Sequence, residues 1–229
     1  MSRSSRKSSS AAPDLLAVYN TLLVHYGHRG WWPGKTVIEI IVGAILTQNT
    51  SWKNVERAIA NLKERKMLSA RALIRVDEKE LADAVRPSGY YNIKARRLKS
   101  FMDFLARRYR GSPAAMFRQP LDRLREEILS VNGVGPETAD SILLYAGGLP
   151  VFVVDLYTYR VVTRHGWLPE GVDYEGMQQW FASRLPEDVD LYNDFHAQFV
   201  AVGNEFCRAK PRCEGCPLAG YLLCGVAST

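Results

Sequence analysis

Asn132-Gly133-Val134-Gly135-Pro136 is the stretch on which the reading of this chain turns. Glycines two apart permit a tight turn with positive φ, and a proline directly after them suits the first position of a new helix. Apolar residues recur at helical spacing on both sides, with Leu121, Leu124, Ile128 and Val131 before and Ala139, Ile142, Leu143 and Ala146 after. The stretch therefore reads as a short hairpin joining two helices. Such a hairpin directs the free N–H groups of a helix N-terminus outward, where a phosphate can dock. A plain helix–turn–helix corner would have the same local sequence.

Working outward, the same periodicity fills most of the chain. Val55, Ala58, Ile59 and Leu62 form one apolar stripe, and Leu98, Phe101, Met102 and Leu105 another. Lys94, Arg96, Arg97, Lys99, Arg107 and Arg108 are expected on the opposite, solvated face of that second helix. Val37 to Leu46 is apolar nearly all round, which predicts a buried central helix. Only Val151 to Val154 reads as extended, and no alternating strand pattern or internal repeat is present. The predicted fold class is all-α. Residues 1–12, Ser-rich and basic, have nothing to pack and are expected to be a disordered tail.

Composition bounds the function only loosely. Of 229 residues, 47% are hydrophobic and 24% charged, as in an ordinary globular protein with a full core. No apolar run reaches the length of a membrane span and the N-terminus has no apolar signal core, so a cytoplasmic protein without a membrane partner is expected. Thirty basic and 24 acidic residues leave +6, of which Arg3, Arg6 and Lys7 supply half. The remaining charge points only weakly to a polyanion.

Two local features carry chemistry. The apolar run Val151-Phe152-Val153-Val154 delivers Asp155 just where helical periodicity resumes, as an N-cap or as a carboxylate able to stabilise a cation or orient a water. All four cysteines, Cys207, Cys213, Cys216 and Cys224, fall in the last 23 residues with the spacing C-x5-C-x2-C-x7-C. Clustered thiols in an otherwise cysteine-free chain argue for a metal site, and spacing alone suits structural zinc as well as an iron–sulfur cluster.

These residues together resemble the helix–hairpin–helix DNA glycosylases of the endonuclease III superfamily. The likeness is carried by the 132–135 hairpin, Val153-Val154-Asp155 and the segment Cys207 to Cys216, and is extended upstream by Leu46-Thr47-Gln48-Asn49-Thr50 and Gly89 to Ala95. Trp31-Trp32-Pro33, Glu137-Thr138-Ala139-Asp140 and Val153 to Tyr159 are similar to the 3-methyladenine glycosylase branch. The resemblance implies two helical domains: a six-helix barrel over 36–149, and a discontinuous domain of 13–35 with 150–229 holding a [4Fe-4S] cluster on the four cysteines. The family's cysteine loops are more often C-x6-C-x2-C-x5-C.

The resemblance also implies roles. The amides of Gly133, Val134 and Gly135 would hold a DNA phosphate, and Asp155 would be the essential carboxylate. Gln48 would fill the gap left by an extruded base, the loop bearing Ser88 would wedge the opposite strand, and Lys94 would touch the backbone. Trp31, Trp32 and Pro33 would wall the base pocket, by stacking and cation–π attraction to an alkylated purine. Where bifunctional members carry a Schiff-base lysine this chain has Glu137, which cannot form an imine but could assist the water. The expected activity is thus monofunctional excision of alkylated purines such as 3-methyladenine from double-stranded DNA, by a monomer. The alternatives are a glycosylase and lyase acting on oxidised or mismatched pyrimidines, and a DNA-binding protein with little catalysis.

Overall fold

The structure is a computed structural model that describes residues 12–223. The basic tail, apart from Ala12, and Cys224 lie outside the described residues. Every regular element among the described residues is helical. The chain forms two compact units: Trp31–Val153, and a second that joins the chain up to Gly30 to the chain from Val154. The barrel-side unit is therefore wider than the expected 36–149. Trp32 packs on Gly43, where a Cβ would meet the indole at 3.2 Å, and on the Tyr145 ring. Val151 and Val153 are buried at the other end of this unit.

The chain opens with α1 (Leu15–Tyr26), capped by the Asp14 carboxylate, which accepts the Leu16 and Ala17 N–H groups. The Trp31–Val153 unit then runs α2 (Val37–Leu46), α3 (Trp52–Glu64), α4 (Ala70–Arg75), α5 (Glu78–Ala84), α6 (Tyr91–Tyr109), α7 (Pro113–Met116), α8 (Leu121–Leu129) and α9 (Pro136–Ser141). A π-helical turn, Ile142–Ala146, continues α9. Thr36, Ser69 and Asp77 start α2, α4 and α5 as side-chain caps.

The apolar face read from the sequence becomes the core of this unit. Ile41, Val42, Ile45 and Leu46 of α2 are completely buried, and α2 touches α3, α6, α9 and the π-turn. Each such side chain contributes about 1.5–3 kcal/mol of burial. Val55 and Leu62 of α3, and Leu98, Phe101, Met102 and Leu105 of α6, close around it. Lys99, expected on a solvated face, instead donates to the carbonyls of Leu73, Ile74 and Val76, satisfying the end of α4.

The other unit adds α10 (Leu156–Arg164), α11 (Tyr174–Ala182) and α12 (Val189–Glu205), capped by Asp155, Asp173 and Asp188. Phe181, Phe195 and Phe199 form its centre, the last two stacked at 4.8 Å between centroids. Asp194 ties α12 to the chain after α1. It accepts from Tyr19 Oη (3.0 Å), the Arg29 N–H (2.7 Å) and Gln198 Nε2 (3.0 Å).

Candidate functional site

In the Trp31–Val153 unit, the hairpin is held from both sides. Arg125 of α8 grips the buried Asp140 of α9 bidentately, Nε to Oδ1 at 2.7 Å and Nη2 to Oδ2 at 3.0 Å, so the two helices cannot splay. Gly133 takes φ +85°, and a Cβ there would collide with the Arg97 side chain. Gly135 is different: its backbone is extended (φ −94°, ψ 177°) and open space faces its Cα. No side chain caps α9. The Val134 side chain is buried and its N–H donates to Val131 O (3.1 Å), which corrects the expectation that this amide meets a phosphate. Glu137 is exposed in the first turn of α9.

Three further expectations change on inspection of this unit. Gln48 does not project. Its Nε2 donates to Gly133 O (3.1 Å) and Thr138 Oγ1 (2.9 Å), and its Oε1 accepts from Arg97, so it braces the hairpin from α2's end. The exposed residue of that turn is Asn49, with φ +53°. Lys94 is 1% exposed, and its Nζ donates to Leu46 O (2.8 Å) and Ser88 O (2.6 Å), too deep for a DNA phosphate. Burial, with the nearby Arg97 charge, lowers its pKa to about 8. Ser88 is fully buried, its hydroxyl donating to Val85 O (2.7 Å). What this loop presents is Tyr90, 70% exposed with φ +45° ahead of α6.

Trp31 and Trp32 do gather, and sequence reading missed two of their partners. Trp32 meets Trp52 edge-on at 5.0 Å and Tyr145 at 5.0 Å, and Trp31 lies 6.1 Å from Trp52. Tyr145 rides on the π-turn, a distortion frequent at functional sites. The indole nitrogens of Trp31 and Trp32 are buried without an acceptor. Pro33 is exposed.

In the other unit, Asp155 caps α10. Its Oδ1 accepts from the Thr158 N–H (2.7 Å) and hydroxyl (2.9 Å), while Oδ2 faces His196 Nε2 at 3.5 Å. Burial works to raise the Asp155 carboxyl, but His196 and the two Thr158 donors outweigh it and hold it below the ordinary carboxylate range. The carboxylate is thus kept ionised.

The far end of α10 carries the cysteine loop. Arg164 Nη1 donates to Cys207 Sγ (3.4 Å) and Arg208 O (2.6 Å), and Nη2 to Ala209 O (3.1 Å). The His165 ring nitrogens lie 2.7 Å from Val161 O and 3.2 Å from Leu218 O, and Trp167 Nε1 donates to Tyr221 O (2.9 Å). Cys207, Cys213 and Cys216 are free thiols. Burial and the neighbouring Cys207 and Cys213 push the Cys216 thiol up, so the three sulfurs lie within electrostatic reach of one another. Among the described residues no three ligands converge on a single metal ion. These thiols, with Cys224 outside the described residues, are the side chains that could hold a metal centre, and thiolates suit zinc as well as iron–sulfur.

Comparison with known proteins places these elements. Residues 42–187 match the model of the HhH-GPD superfamily base excision DNA repair proteins. A candidate DNA repair glycosylase of Methanocaldococcus jannaschii is 47% identical over 208 residues, covering 90% of this chain and 94% of its own. Endonuclease III of Thermotoga maritima is 30% identical over 183 residues, 80% of each chain. The crystal structure of H. pylori 3-methyladenine DNA glycosylase bound to 1,N6-ethenoadenine superposes with a TM-score of 0.74 at 27% identity, over 85% of this chain and 98% of that one. The all-helical architecture is shared with these DNA repair glycosylases, and this chain belongs to the HhH-GPD superfamily of base excision DNA repair proteins.

Proposed function

We propose that the protein is a monofunctional, monomeric glycosylase that removes alkylated purines such as 3-methyladenine from duplex DNA. The observation that carries this reading is the Trp31–Trp32–Trp52–Tyr145 cluster. Four aromatic rings with no formal charge among them suit a flat, cationic purine, which gains both stacking and cation–π attraction. A relative with 27% identity is bound to 1,N6-ethenoadenine in its crystal structure, which supports a modified purine as the ligand, though not its charge.

In this reading the hairpin at Gly133 and Gly135 receives a phosphate, Tyr90 enters the stack opposite the lesion and Asn49 takes the space of the extruded nucleotide. Alkylation has already weakened the glycosidic bond. Asp155, ionised and fixed by Thr158, offsets the positive charge developing on the sugar and orients the water that attacks C1′. Glu137, where a lyase would need an amine, assists that water. Cys207, Cys213, Cys216 and Cys224 would hold a [4Fe-4S] cluster, which when bound supplies a rigid core for the C-terminal loop.

The test uses end-labelled, methylated duplex DNA, with half of each sample treated with alkali before the strands are sized. Breaks only after alkali are expected. Breaks without alkali would replace this reading with a glycosylase and lyase using another amine. An intact strand in both halves would remove the alkylation assignment.

A further inference from the structure

Asp155 has two unequal oxygens. Oδ1 is saturated by two donors from Thr158, whereas Oδ2 has the His196 ring beside it at 3.5 Å. His196 projects from α12, the helix against which α10 packs, and its side chain is 6% exposed against 12% for Asp155. We propose that His196 is a positioning residue that fixes the plane of the Asp155 carboxylate, and this rests on the catalytic role given to Asp155 above.

A carboxylate pinned at one oxygen can still twist about Cβ–Cγ. The His196 ring, 3.5 Å from Oδ2 though without a formed hydrogen bond from Nε2, is placed to limit that rotation and to leave one lone-pair direction of Oδ2 for the reacting sugar. Burial alone would drive Asp155 toward its neutral acid, which cannot offset a developing cation. The His196 ring beside Oδ2 opposes that drift. Other ionisable groups nearby are committed elsewhere. Asp194, two residues before His196 on α12, is taken up by Tyr19, Arg29 N–H and Gln198.

The experiment is single-turnover base release from saturating methylated duplex across pH, with duplex affinity and thermal midpoint measured alongside. Asp155→Asn should abolish release. His196→Leu should slow release about ten- to hundredfold, the loss of one polar partner beside a buried charge, at unchanged duplex affinity. Its acid limb should move to higher pH. His196→Gln, which restores an N–H where Nε2 stood, should recover most of the rate and return the acid limb. His196→Asn, whose amide falls short of Oδ2, should recover less and serves if the leucine variant does not fold. An unmoved acid limb and rate in His196→Leu, or Gln no better than Asn in well-folded protein, would overturn the proposal while leaving Asp155 in place. Full activity in Asp155→Asn would instead overturn the catalytic reading, and His196 with it.

Discussion

The two hairpin glycines make opposite predictions. Gly133→Ala places a side chain at φ +85°, costing about 1–2 kcal/mol for the left-handed backbone. Its Cβ also displaces Arg97, which then loses its charge-assisted bond to Gln48. Such bonds contribute about 1.5–3 kcal/mol, and because Arg97 is half-buried the lower end applies. The sum is about 2–4 kcal/mol, or roughly 5–15 °C in thermal midpoint for a chain of this size. Gly135→Ala meets open space in an extended backbone, so its stability should match or slightly exceed the wild type through a less flexible unfolded chain. Its methyl group would nonetheless stand where a phosphate must approach. Thermal melts and fluorescence anisotropy with undamaged duplex separate the two: Gly133→Ala melts early, and Gly135→Ala melts normally but binds weakly. In an Arg97→Ala background the Gly133→Ala penalty should shrink to the backbone share alone. Equal melting of the two alanine variants, or no coupling to Arg97, would refute the reasoning.

Other expectations follow from the same contacts. Lys94 has a folded pKa of about 8, below its unfolded value, so the unfolded chain binds more protons between about pH 8 and pH 10.5 and stability rises over that window. Urea midpoints should show that rise in the wild type and lose that share of it in Lys94→Met. Breaking the buried Arg125–Asp140 pair by Asp140→Asn should cost about 3–5 kcal/mol, read by denaturant unfolding, with base release per folded molecule retained. Trp52→Ala should reduce the preference for methylated over undamaged purines more than it reduces duplex binding, measured as a ratio of release rates. Cys213→Ser, purified anaerobically with iron available, should lose the visible iron–sulfur absorption that the wild type is expected to carry.

Much of the helical frame could be read because a buried face repeats every three to four residues, and each apolar stripe quoted from the sequence lies in a core. Partners distant in the chain leave no such trace. Trp52 and Tyr145 join Trp32 from 20 and 113 residues away, and nothing local marks them. Gly133 and Gly135 look alike as letters, yet only one needs a left-handed backbone. Lys94 was legible in principle. It stands at i−4 and i−7 from Leu98 and Phe101, on the apolar stripe itself, which already places it inside. Its charge argued for solvent, and the carbonyls of Leu46 and Ser88 that receive it become visible only in three dimensions. His196 was missed for a similar reason, since a single histidine in an aromatic-rich helix gives no sign of what faces it.

Helix α10 has nine residues, about 14 Å, too short to persist alone in water. Its first turn is tied by the Asp155 carboxylate and its last by the Arg164 and His165 contacts to the cysteine loop. The helix therefore opens as one cooperative segment, and fraying at one end shortens the lifetime of the other. Amide protons at Val161 and Val162 should consequently exchange faster when either Thr158 or Arg164 is altered. Integrity of the cysteine loop then sets how long the carboxylate stays poised at the opposite end, by mechanical continuity through the helix.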